Sequence, residues 1–186
     1  MQNDVQILIG QFLNASDGTS RAFAEAEQAF HRGVETQGSR RMRRWVATVN
    51  CLDRFVLAER RMPRENRRLA PGEIGEQEKS LASWVRYQRR PATRNGHCEY
   101  QSRRLEIVDG FQWDPLGEAQ RELATQYAEF FTRFGRAPRY RAEAPEERRL
   151  ANWAAKRRQL AMRGALSAQE VERLRAAGVP VPRRRR

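Results

Sequence analysis

An all-α fold is predicted for this chain: two tandem three-helix modules behind an N-terminal helical segment. Three observations predict it. Apolar residues recur at spacings of three and four, and β-branched residues are sparse, with no sustained period-two alternation. One short pattern occurs twice. Leu81-Ala-Ser-Trp84 with Arg89 is followed by Gly96 and Gly110, and Leu150-Ala-Asn-Trp153 with Arg158 is followed by Gly164 and Gly178. The interval between the two glycines is fourteen residues in both copies. Ahead of each copy an apolar-periodic helix ends in a basic-x-Pro step, Arg61-Met62-Pro63 and Arg136-Ala137-Pro138. A fixed interval inside a repeat marks a structural unit used twice.

The elements follow in order. An opening helix over roughly Val5–Leu13 closes at the Asn14–Gly18 turn. Thr19 or Ser20 then caps a second helix that carries Phe23, Ala26 and Phe30 on one face. The basic run Ser39–Arg44 leads into a third, with Trp45, Val49, Leu52, Phe55 and Val56 on its buried face, ending before Pro63. Residues 64–76 read as an exposed loop. The next helix buries Leu81, Trp84, Val85 and Gln88 and stops at Pro91. A last helix near Gln101–Val108 closes at Gly110, and Phe111 and Trp113 fold back on the core.

The second copy repeats this layout more compactly. Leu123, Tyr127, Phe130, Phe131 and Phe134 face inward, and Gly135 is a C-cap. The Trp helix runs from Glu146 to Met162, and Ser167 with Glu170 forms a capping box for a final helix ending at Gly178. The predicted divisions are an N-terminal segment at 1–40, modules at 41–115 and 116–182, and a basic tail at 183–186.

Composition narrows function. The chain has 186 residues, a formal charge of +13 and 36 basic residues, of which only Lys79 and Lys156 are lysines. Such an excess favours polyanions, because each neutralised phosphate releases condensed counterions. Arginine adds a planar fork matched to phosphate and guanine edges. Codon bias accounts for arginine over lysine, but not for the net positive charge.

Cys51 and Cys98 make no disulfide framework, and no apolar run is long enough to span a bilayer. A cytoplasmic setting is expected, nucleoid-associated if the chain binds DNA. Metal binding is not predicted, since Cys51, Cys98, His31 and His97 show no C-x2-C or H-x3-H spacing. No catalytic triad is readable from two histidines. No Walker A loop is present either, since Lys79 follows Glu78 and Lys156 follows Ala155. No cofactor is implied.

The succession of helix, basic-x-Pro, loop, Leu-x-x-Trp-x-x-x-x-Arg, glycine, helix and Gly110-Phe-Gln-Trp113 resembles the helicase-associated domain. That is a small all-helical module found in tandem, often C-terminal to bacterial superfamily 2 helicases. The resemblance covers about Arg41–Asp114 and Leu116–Pro182. It implies a nucleic-acid-binding protein. The first copy departs from the pattern with His97-Cys98-Glu99 in place of Gly-x-Leu-Ser, and the second has Val179-Pro180 in place of Phe-x-Trp.

Within each copy, spacing assigns Trp84 and Trp153 to the core rather than to base stacking. The residues expected to meet nucleic acid are Arg86, Arg89, Arg90 and Arg94 in the first module and Lys156, Arg157, Arg158 and Arg163 in the second. Arg183, Arg184, Arg185 and Arg186 add a sequence-neutral clamp. The sequence thus predicts a non-enzymatic protein that binds nucleic acid, duplex DNA foremost, with low or modest sequence specificity. Two alternatives stand beside it. One is a protein-interaction adaptor, partnering a helicase or a phage or plasmid factor, which Phe23, Phe30 and Val34 would suit if exposed, although that face is expected to pack against the modules. The other is an RNA-binding protein.

Overall fold

Residues 2–35, 38–64 and 74–181 are described by a computed structural model, and among them every regular element is an α-helix. The all-α class is therefore shown. Contacts divide the chain into two units, Met1–Trp113 and Asp114–Arg186.

Unit 1 contains α1 (Gln2–Phe12), α2 (Gly18–Arg32), α3 (Arg40–Glu59), α4 (Glu76–Gln88), the single turn α5 (Pro91–Arg94) and α6 (Glu99–Glu106). Local chemistry sets most of these bounds. Asp17, rather than Thr19 or Ser20, caps α2: its carboxylate accepts the Thr19 and Ser20 N–H groups at 3.0 and 3.1 Å. The Ser20 hydroxyl is thereby free to accept the Tyr100 N–H at 3.2 Å. Ser39 caps α3 through the Met42 N–H, so the basic run forms the opening turns of that helix instead of leading into it. Pro91 does more than stop α4. It stands at the first turn of α5, where its missing N–H costs nothing.

The core of unit 1 gathers around α3. Val46, Val49, Leu52 and Val56 meet Val5, Leu8 and Ile9 of α1, Phe23 and Ala26 of α2, Leu81 and Val85 of α4, and Tyr100 and Leu105 of α6. Residues 1–40 thus supply part of the same core as the helices that follow. Phe111 and Trp113 pack against it from the C-terminal side, as expected. Phe55 is half-buried, because α3 turns that edge towards solvent.

A buried polar network runs through this apolar interior. Glu27 and Arg104 are each 0% exposed. The Glu27 carboxylate accepts from Arg104 Nε, Asn50 Nδ2 and the Tyr100 hydroxyl, each at 2.8 Å. Arg104 also pairs with Asp53. Burial pushes the Glu27 carboxyl up, but hydrogen bonds from His31, Arg104 and Tyr100 and the charge of Arg104 outweigh it and hold it below the ordinary range. Burial beside Glu27 raises the Tyr100 phenol far above its usual value, so it remains a donor.

Unit 2 contains α7 (Pro115–Phe134), α8 (Pro145–Met162) and α9 (Ala168–Ala176). Its core is small: Tyr127, Leu150, Trp153, Ala154, Leu174, Ala177 and Val179. The Ser167–Glu170 capping box forms as predicted, and Gly135 closes α7 at φ 63°. The apolar stripe of α7 is only partly covered. Leu123 and Phe130 are half-buried, whereas Phe131 and Phe134, expected inside, are 42% and 49% exposed. Two partner helices in so small a unit cover the last turn of α7 only in part.

One arrangement recurs in both units. Arg61 pairs with Glu78, donates to the Met62 carbonyl, and lies 5.4 Å from the Phe55 ring centre. Arg136 pairs with Glu147 at 2.5 Å, donates to the Ala137 carbonyl, and lies 5.2 Å from the Phe130 ring centre. In each case the glutamate also accepts the N–H of the residue after proline, Arg64 or Arg139, at 2.9 Å. These clasps join the end of one helix to the start of the next, each glutamate six residues ahead of the repeated tryptophan.

Candidate nucleic-acid interface

The opening of α3 concentrates charge where a helix least favours it. Arg40, Arg41, Arg43 and Arg44 stand at its N-terminal end, with no acidic residue in the first turn. The macrodipole already makes such an end positive, so cations there reinforce a field that attracts anions. Arg40, Arg41 and Arg44 form no ion pair with a carboxylate among the described residues. They line an open cleft of about 620 Å³ whose other walls include Trp84, Tyr87, Gln88, Thr93 and His97. The sequence marked this run as basic but did not place it in a site. What brings it to Tyr87 and His97 is the packing of α3 on α4, which no local signal reports.

The floor of the cleft is rigidly bonded. Trp45 Nε1 donates to Gln88 Oε1 at 3.2 Å, and His97 Nε2 lies 2.8 Å from the same oxygen. An indole nitrogen can only donate, which fixes the oxygen end of the Gln88 amide towards it. His97 must then present Nε2–H, and its Nδ1 is a bare acceptor. Burial, followed by the charge of Arg41, holds the His97 pKa below its ordinary value, so the ring is neutral at pH 7. Trp45 and Trp84 meet with ring centres 6.0 Å apart.

The four arginines singled out in unit 1 do not line this cleft, and three of them are stacked on rings. Arg94 lies 4.8 Å from the Trp113 ring centre, Arg89 5.1 Å from Phe111, and Arg90 5.6 Å from Tyr87. Phe111 and Trp113 are themselves edge-to-face at 5.0 Å. The Gly110–Trp113 ending is therefore a two-ring platform for guanidinium groups. Stacking holds the plane of an arginine while leaving its N–H edge available to oxygen ligands. Arg90 and Arg94 are exposed, Arg89 is half-buried at the end of α4, and Arg86 is exposed and donates to Ser83 Oγ at 3.2 Å.

In unit 2 Lys156 and Arg157 share a groove with Trp153 and Leu160, and each also lines a second one. Lys156 and Arg158 line one shallow groove with Met162 and Pro180. Arg157 faces another, beside Trp153, Gln120 and the start of α9. Lys156 and Arg163 are exposed, and Arg157 and Arg158 half-buried. Arg158 differs from its counterpart Arg89 in setting: α4 ends at Gln88, whereas α8 continues to Met162. Trp153 is buried, as predicted, and its indole donates to Gln120 Oε1 at 2.7 Å. Trp84 is half-buried at the cleft wall. Arg183, Arg184, Arg185 and Arg186 lie outside the described residues.

Phe23, named for an exposed adaptor surface, is buried, while Phe30 and Val34 are exposed. Among the described residues no three of His, Cys, Asp and Glu gather as a metal site, and no helix is long and apolar enough to cross a membrane. Comparison of the chain with protein-family models, curated proteins and solved structures finds no match.

Proposed function

We propose that this chain is a non-enzymatic nucleic-acid-binding protein. It grips the phosphates of duplex DNA through arginine-lined helix edges in two helicase-associated-type units, with low or modest sequence specificity. One observation supports this reading: Arg40, Arg41 and Arg44 stand together at the N-terminus of α3, without an ion pair to a carboxylate among the described residues, facing an open cleft. A net charge of +13 gives that locus long-range attraction for a polyanion.

A protein-interaction adaptor is the second reading, and Phe131 and Phe134 on the partly covered last turn of α7 favour it. Anisotropy titration with duplex DNA, duplex RNA and single-stranded DNA at two salt concentrations separates the readings. Steeply salt-dependent duplex DNA binding is the expected result, with an apparent slope counting the phosphates engaged. Binding no tighter than about 10⁻⁴ M to all three at physiological salt would remove nucleic acid as the partner.

A further inference from the structure

We infer that the unit 1 cleft takes one unpaired nucleotide, with its base at the Trp84–Tyr87 wall and its phosphate at Arg40, Arg41 and Arg44. This rests on the nucleic-acid reading above and names the part of the ligand that the cleft admits. Charge alone would accept any phosphate, and three further features narrow the ligand. Tyr87 is 47% exposed where it lines the cleft, and Trp84 lies beside it, so an aromatic wall faces the arginines. Nucleobases stack on such walls with little sequence preference.

Gln88 supplies the second feature. Its side chain is 3% exposed and lines the cleft. Both hydrogen bonds it makes use Oε1, to Trp45 and His97, and its amide nitrogen donates to no group among the described residues. The nitrogen is not among the side-chain atoms that are both buried and unpartnered, so it reaches solvent, where a ligand in the cleft can accept from it. A base offers an acceptor in its carbonyl or ring nitrogen, and Trp45 holds the Gln88 amide in the orientation that presents the donor. In a duplex these faces are stacked and paired. An unpaired nucleotide presents face and edge at once.

The third feature is shape. About 620 Å³ lies within the range of small-ligand sites, and the cleft is open on one side, leaving a path for the strand to continue. A duplex held by the outer arginines would place a frayed or overhanging end here.

The test compares three labelled DNAs on the full chain: a blunt duplex, the same duplex with a short overhang, and that overhang made abasic. The overhang is expected to tighten binding by about tenfold over the blunt duplex, and both the abasic form and Tyr87→Ala to lose that ratio. Arg44→Ala should weaken the overhang more than the blunt duplex. Equal affinity for blunt and overhanging DNA, or an abasic overhang that keeps the gain, would overturn the cleft assignment and leave phosphate gripping intact. Absence of salt-sensitive binding to all three would overturn both.

Discussion

Glu147 holds Arg136 as Glu78 holds Arg61: each carboxylate accepts from the guanidinium on both oxygens and from the N–H after proline on Oε1. The two pairs lie in different units, yet each arginine also rests on a phenylalanine six residues earlier, Phe130 or Phe55. The repeat therefore extends beyond the tryptophan helix to the joint that precedes it.

Breaking one clasp should loosen one joint. Glu147→Ala is expected to speed amide hydrogen exchange at Arg139 and the start of α8 several-fold, with Glu147→Gln milder because it keeps an acceptor for the Arg139 N–H. The arginine and the backbone N–H hold the Glu147 carboxyl below the ordinary range. Its contribution is complete above about pH 4.3 and fades as pH falls through the lowered value. Exchange measured at matched intrinsic rates in acid and near neutrality checks both statements.

The Glu27–Arg104 pair should be the most sensitive point of unit 1. Glu27→Ala takes from Arg104, Asn50 and the Tyr100 hydroxyl their shared buried acceptor, and leaves Asp53 as the one carboxylate pairing with the guanidinium among the described residues. A loss of about 3–5 kcal/mol is expected in chemical denaturation. Because the folded carboxyl is held low, this stability is also present above about pH 4.3 and lost as pH falls below it. A variant as stable as the parent would show that the buried charge is relieved in some other way.

His97 should remain neutral well below its ordinary titration range. Its lowered pKa means that the unfolded chain binds a proton which the folded chain refuses. Stability from this site is therefore complete above about pH 6.5 and declines as pH falls below it, until the folded ring also titrates. An NMR titration of the imidazole carbons reads this directly, and should find His97 in the Nε2–H form.

Arginine edges and arginine platforms should separate in binding. On the proposed function, Arg94→Ala should lower the salt slope by about 0.9, whereas Arg94→Lys keeps the charge and loses the plane stacked on Trp113. Arg89→Ala with Arg158→Ala should lose more affinity than either change alone. Arg89→Ala also uncovers Phe111, so its melting temperature must be read beside its affinity.

Trp153 tests the core of unit 2. Trp153→Phe keeps the ring and leaves Gln120 without its donor, at a cost of about 0.5–1.5 kcal/mol, while Trp153→Ala should cost about 3–5 kcal/mol. Urea titration followed at Tyr127 distinguishes the two.

The helices, the Ser167–Glu170 box, the Gly135 cap and the inward tryptophan of α8 were legible in the sequence, because periodicity and caps act within a few residues. Nearby chemistry misled at Asp17, where a carboxylate one residue before Gly18 was a better cap than the hydroxyls after it. Glu78 and Glu147 left a trace, each six residues before a repeated tryptophan, but a glutamate among arginines reads as an ordinary solvated charge.

By itself the sequence determined the all-helical class, the doubled pattern and the surplus of positive charge, all properties of short windows or of composition. Tertiary structure alone decided which charges are buried and which are free. Glu27 and Arg104 are 77 residues apart and look like any surface pair until α2 and α6 close over them. Arg40, Arg41 and Arg44 look like a basic lead-in until α4 sets Tyr87 and Gln88 against them. The reason is that a charge acquires its role from the groups that replace its water, and those groups come from distant parts of the chain.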